Sequence, residues 1–116
     1  MSIGLAHITF DSVRPQVLAQ FWSEVLERPV DDSASEFVAS IDGRVAERPT
    51  WLFIRVPEAK ATKNRVHVDL SADDRETEVT RLAALGATRI SDHDEWGAVW
   101  TVMTDPESNE FCVAQR

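Results

Sequence analysis

Three side chains in this sequence have the types and spacing to hold a divalent metal ion: His7, His67 and Glu110. Each histidine stands in a short alternating segment. In residues 5–11, Ala6, Ile8 and Phe10 fall on one strand face, and Leu5, His7, Thr9 and Asp11 on the other. In residues 65–70, Val66, Val68 and Leu70 fall on one face, and Arg65, His67 and Asp69 on the other. The apolar face must meet a helix, so both imidazoles point away from it. Glu110 opens the last apolar segment, where Phe111 and Val113 set the helix-facing parity, so Glu110 and Cys112 share the opposite face. Two imidazoles and a carboxylate on separate strands suit a borderline divalent ion with coordination positions left open. A single strand histidine is more often an ordinary hydrogen-bonded residue. The case for metal rests on the matched pair together with Glu110. Zn, Mn, Fe, Ni and Co all accept these donor types.

The same parity adds Thr9, Arg65 and Cys112 as substrate-cleft candidates. Arg65 suits an anionic substrate group and Thr9 a donated hydrogen bond. The plainer readings are an arginine paired with nearby carboxylates and a strand threonine chosen for β propensity. Cys112 reads as a small buried filler, with a reactive thiol as the alternative. Trp51, Trp96 and Trp100 are aromatic enough to line a pocket, although core and interface packing is the commoner role of such residues. His93, in the acidic run 92–95, reads as a solvated loop residue. Lys60 and Lys63 read as part of a solvated connector. No residue is assigned as a catalytic base.

The elements that must position these groups are legible in the periodicity. A first helix starts near Pro15 and ends by Pro29, with Val17, Leu18, Phe21, Trp22, Val25 and Leu26 as its apolar stripe. Strands follow over 36–41 and 51–56, then a polar connector over 57–64. The order then repeats. The 65–70 strand leads to a helix capped at Asp73, with Glu76 three residues on. Its stripe is Val79, Leu82, Ala83 and Leu85, and Gly86 stops it. Strands over 88–90, 99–104 and 111–113 complete the second half, the last two joined by the turn 105–109. His7 and His67 stand 60 residues apart in a chain of 116, so the topology is internally duplicated.

Composition narrows the classes. Hydrophobic residues make up 43% and charged residues 28%, a globular balance. The net charge of −8 argues against a general nucleic-acid surface or an anionic membrane surface. One cysteine, Cys112, permits no internal disulfide, in keeping with a reducing cytoplasm. The first residues carry no basic, apolar leader pattern, and no stretch has the length of a membrane span.

Four segments carry a family resemblance: Leu5-Ala6-His7-Ile8-Thr9-Phe10-Asp11, Phe21-Trp22, the stretch 56–70 around Val66-His67-Val68-Asp69-Leu70, and Asp105-Pro106-Glu107-Ser108-Asn109-Glu110-Phe111-Cys112. On these, the chain resembles the vicinal oxygen chelate superfamily, which includes glyoxalase I, bleomycin-resistance proteins, fosfomycin-resistance transferases and extradiol dioxygenases. The resemblance implies an α+β fold of two βαβββ modules, about 1–58 and about 63–116, in a single domain 1–116. The modules would form a curved mixed sheet with a central cleft, helices on its outer face. It implies ligands at His7, His67 and Glu110. The usual fourth ligand position falls near Ile54, which cannot bind a metal, so classical glyoxalase I chemistry is disfavoured. Ser108 stands where relatives often have glycine. The implied function is a metal-dependent lyase, isomerase or transferase acting on an oxygen-rich small molecule. The alternative is a metal-free drug- or metabolite-binding protein. A homodimer is implied in either case.

Overall fold

The structure is a computed structural model and describes residues 2–116. The chain divides into two compact units, Met1–Ala59 and Lys60–Arg116.

The first unit runs β1 (His7–Ser12), α1 (Pro15–Leu26), β2 (Val38–Ile41) and β3 (Thr50–Arg55). Its sheet has the order β1-β3-β2, with β1 parallel to β3 and β2 antiparallel to it. Pro15 occupies the first turn of α1, where its missing N–H costs nothing. Glu27 ends the helix in the left-handed region at φ 55°, two residues before Pro29. Leu18, Phe21, Trp22 and Val25 are buried, as the stripe requires. Ala19 and Ser23 are buried with them, while Val17 is exposed. The buried face of α1 is therefore rotated from the expected one towards the small residues, which let the helix approach the sheet. Under it lies an aromatic core. The Phe10 ring is 5.7 Å from Trp22, 5.8 Å from Trp51 and 5.2 Å from Phe53. Trp51 is thus a core residue.

The resemblance implies a fourth strand here. The chain supplies only an isolated antiparallel bridge, Val30 to Ile41. Polar side chains in 31–35 add local bonds around this bridge. The Asp31 carboxylate accepts from Ser40 Oγ and from the Gly43 N–H, and Ser35 Oγ accepts from the Phe37 and Val38 N–H groups. Such local side-chain bonds compete directly with a ladder.

The second unit runs β4 (Val68–Ala72), α2 (Arg75–Leu85), β5 (Thr88–Glu95), β6 (Ala98–Thr104) and β7 (Glu110–Gln115). The sheet order is β4-β7-β6-β5, with β4 parallel to β7 and the other pairs antiparallel. Strand β5 is far longer than residues 88–90. Its acidic run pairs with β6 through Asp92↔Thr101, His93↔Trp100 and Asp94↔Val99. The cap of α2 is Asp74 and not Asp73: the Asp74 carboxylate accepts from the Thr77 N–H and hydroxyl. Asp73 instead pairs with Arg116 at 2.8 Å. Only Val79 and Leu82 of α2 are buried. Charge supplements this thin apolar contact. Arg75 donates to the buried Thr101 hydroxyl, and Arg89 binds both oxygens of Glu76 at 3.0 and 2.8 Å. The fold is α+β: two helices, each against a mixed open sheet, of three and four strands.

Candidate metal centre

Phe111 and Val113 are buried, as are Thr101 and Met103 on the neighbouring strand. These residues face α2. Strand alternation therefore places Glu110 and Cys112 on the open face of the second sheet. Register adds the β4 residues, since Val68 pairs with Phe111 and Asp69 with Cys112. His67 immediately precedes β4, and Glu110 immediately precedes Phe111, the first β7 residue paired with β4.

Glu110 is held firmly. Its side chain is only 18% exposed. Lys60 Nζ donates to Oε1 at 3.0 Å, and the Asn64 N–H donates to Oε2 at 3.0 Å. Burial is the largest single influence on this carboxyl and pushes its pKa upward; the Asn64 N–H, the Lys60 ammonium and the backbone N–H of Glu110 itself together outweigh it and leave the pKa below the usual glutamate value. Lys60 is accordingly no solvated connector residue. It is the counter-ion of the proposed ligand.

The turn before Glu110 explains its placement. Asp105 is 3% exposed. Its Oδ1 accepts from the Glu107 and Asn109 N–H groups at 2.9 and 3.0 Å, and its Oδ2 accepts from Asn109 Nδ2 at 2.9 Å. Asn109 Oδ1 in turn accepts from Asn64 Nδ2 at 3.2 Å, tying the turn to the connector. Ser108 sits at φ 69°, in the left-handed region that favours glycine.

Among the described residues, one group of three His, Cys, Asp or Glu side chains has its ligand atoms all within 4.8 Å of one another: His67, Asp69 and Cys112. His67 Nε2 lies 3.4 Å from Asp69 Oδ1. Cys112 is buried, as expected of a filler. Its thiol pKa is raised, first by burial and then by the charge and hydrogen bond of Asp69, with Lys63 pulling the other way. Arg65 is exposed and precedes the strand.

In the first unit, His7 and Thr9 are exposed on β1, while Ile8 and Phe10 alternate inward towards α1. Ile54 pairs with Asp11 on the same open face and is 39% exposed. It offers an apolar surface and no ligand atom. An open recess of about 320 Å³ at the start of α1 is lined by Arg14, Gln16, Glu36 and Arg55 among others. None of the candidate site residues lines it.

His93 is not a loop residue. It lies in β5, with Nε2 2.8 Å from Ser91 Oγ, and its ring stacks on Trp100 at 5.0 Å. Trp96 continues the stack at 6.3 Å from Trp100 and is 91% exposed. His93 and Trp100 share the parity of Cys112, so this stack stands on the same open face as His67 and Glu110. Sequence reasoning missed Lys60, Asn64 and Asp105 as the groups that fix Glu110. Only the strict turn composition of 105–109 hinted at the last of them.

Each unit packs one helix against a mixed open sheet, with imidazole and carboxylate side chains on the face away from the helix. The fold is that of the glyoxalase/bleomycin-resistance/dioxygenase superfamily, the vicinal oxygen chelate proteins. A family enzyme of this kind from Burkholderia phytofirmans superposes with a TM-score of 0.79 at 16% identity, covering 97% of this chain and 98% of that one. A genomically encoded fosfomycin resistance protein from Listeria monocytogenes gives 0.76 at 13% identity, covering 100% and 95%. A lactoylglutathione lyase from Agrobacterium tumefaciens gives 0.67 at 14%, covering 97% and 92%. At these identities the likeness is one of fold. No curated protein matches the chain. The family model described as "Glyoxalase-like domain" matches residues 7–114, and the chain belongs to that family. No helix among the described residues is long and apolar enough to cross a membrane.

Proposed function

We propose that the protein binds an oxygen-rich small molecule at a divalent ion held by His7, His67 and Glu110, and acts on it as a lyase, isomerase or transferase. The observation that supports this reading is the pre-placement of Glu110 on the open face of the second sheet, one residue before the first β4–β7 pair, Val68 with Phe111, which His67 also precedes by one residue. A buried turn and a connector are both spent on fixing that one carboxylate. The donor set of two imidazoles and a carboxylate fits Zn, Mn, Fe, Ni or Co, with positions left for substrate. When bound, such an ion would act as a Lewis acid towards chelating substrate oxygens. Lys60 holds Glu110 ionised and must yield Oε1 to the ion. Thr9 and Arg65, both exposed, are available to bind polar and anionic parts of the ligand, and Ile54 and Cys112 supply apolar lining. The chain works in this reading as a cytoplasmic homodimer.

Elemental analysis of the purified protein tests it. About one equivalent of metal per chain is expected in the wild type, lost in the His7→Ala/His67→Ala double variant. Equal metal content in the two would refute the assignment. One observation favours the metal-free reading: both Glu110 oxygens already have protein donors, and Ile54 stands where a fourth ligand would be. If the protein is a drug- or metabolite-binding module, ligand binding survives excess chelator undiminished.

A further inference from the structure

We propose that His67, Asp69 and Cys112 form a thiolate-containing zinc site built entirely within the second unit. The inference goes beyond the three-ligand reading above, with which it shares only His67.

Three independent features place these donors together. Asp69 and Cys112 are paired residues on adjacent parallel strands, so the β4–β7 ladder holds their side chains next to one another. His67 has the same parity two residues earlier on the Asp69 side. All three ligand atoms lie within 4.8 Å of one another, and they offer three different donor elements: nitrogen, oxygen and sulfur. Tetrahedral zinc with bonds of about 2.0–2.3 Å needs its ligands about 3.3–3.7 Å apart. The 3.4 Å separation of His67 Nε2 and Asp69 Oδ1 already meets this. The remaining separations are within 4.8 Å, and the Asp69 side chain is 69% exposed.

The chemistry selects the ion. A nitrogen, oxygen and sulfur donor set suits borderline ions such as zinc better than the hard ions magnesium or calcium, which seek oxygen. On binding, the Cys112 S–H bond breaks, its proton passes to solvent, and the sulfur–zinc bond forms. No electron is transferred. Three protein ligands leave one position for water or an incoming ligand.

Cobalt(II) serves as the spectroscopic probe in place of zinc. Titrated into the full chain, it should give a near-ultraviolet thiolate-to-cobalt charge-transfer band and be displaced by zinc. The band should vanish in Cys112→Ser and persist in His7→Ala and in Glu110→Gln. Cys112 is buried, and its variant must be shown folded by circular dichroism. Asp69→Asn supplies the independent check on an exposed side chain, weakening cobalt binding by at least about tenfold. A wild-type cobalt complex without the charge-transfer band overturns the proposal. So does unchanged affinity in Asp69→Asn, or loss of binding in His7→Ala and Glu110→Gln with Cys112→Ser unaffected. That last pattern supports the three-ligand site instead, so the two readings fail separately.

Discussion

Replacing Asp105 by asparagine exchanges a single carboxylate oxygen for an amide nitrogen, yet the surroundings make that exchange costly. In the wild type, Oδ1 accepts from two backbone N–H groups, and Oδ2 accepts from Asn109 Nδ2. An asparagine can keep the two backbone bonds through its oxygen. Its Nδ2 then faces Asn109 Nδ2, donor against donor. Turning the Asn109 amide over relieves that clash and creates another, because Asn109 Oδ1 accepts from Asn64 Nδ2. The conflict is therefore passed along to the connector that carries the Asn64 N–H to Glu110. Losing a charge-assisted bond at this buried position costs about 1.5–3 kcal/mol. At this chain length that lowers the melting temperature by roughly 6–12 °C, at about 4 °C per kcal/mol. Asp105→Ala goes further, because it leaves the Glu107 and Asn109 N–H groups without their acceptor. It should cost about 3–5 kcal/mol, or roughly 12–20 °C. Differential scanning calorimetry measures both, and amide exchange should accelerate first at Glu107 and Asn109. An asparagine variant melting within about 2 °C of wild type, or an alanine variant no worse than the asparagine one, would refute the reasoning.

Three further outcomes are expected. Lys60→Ala removes the ammonium 3.0 Å from Glu110 Oε1, lowering stability by about 1–2 kcal/mol and tightening metal binding at Glu110 up to about tenfold; weaker metal binding in a folded variant would contradict the role of Lys60 as competing counter-ion. The folded-state pKa of Glu110 lies below its ordinary 4.5, so its contribution is fully present above that value and is lost as pH falls through the lowered one. Glu110→Gln should flatten the melting temperature against pH below about 4.5, and an unchanged acid limb would count against the Lys60 and Asn64 contacts. Ser108→Gly relieves an L-residue at φ 69° and should raise stability by about 0.5–1 kcal/mol after the added chain entropy is subtracted, read as a higher denaturant midpoint.

Strand faces were readable in the sequence because alternation alone decides them. Phe10 turns inward while His7 and Thr9 stay exposed, and Phe111 and Val113 are buried below the open-face Glu110. The helix at Pro15 was equally plain, since proline and a six-residue apolar stripe agree. What stayed hidden depended on contacts between distant residues. Nothing in 57–64 marks Lys60 and Asn64 as partners of Glu110, because the connector is polar and a polar connector reads as solvated. The sequence signals only the start of strand β5, because Asp92, His93, Asp94 and Glu95 lack β propensity; Thr101, Trp100 and Val99 pair with that run across the ladder. Two aspartates stand side by side at 73–74, and only the backbone decides which one reaches the Thr77 N–H.

The truncated strand of the first unit has a consequence for how the protein behaves in crowded solution. Residues 30–35 run along the outer edge of β2, where the Asp31 N–H donates to the Ser40 carbonyl and the Ser35 N–H to the Val38 carbonyl. They occupy the edge without presenting a regular row of donors and acceptors of their own. The second sheet guards its β5 edge differently, with Arg89, Asp92, Asp94 and Glu95. Neither edge offers another molecule a flat template to extend. Shortening the 30–35 segment would expose the β2 edge and favour sheet growth between molecules, so the economy of a missing strand also serves as insurance against aggregation.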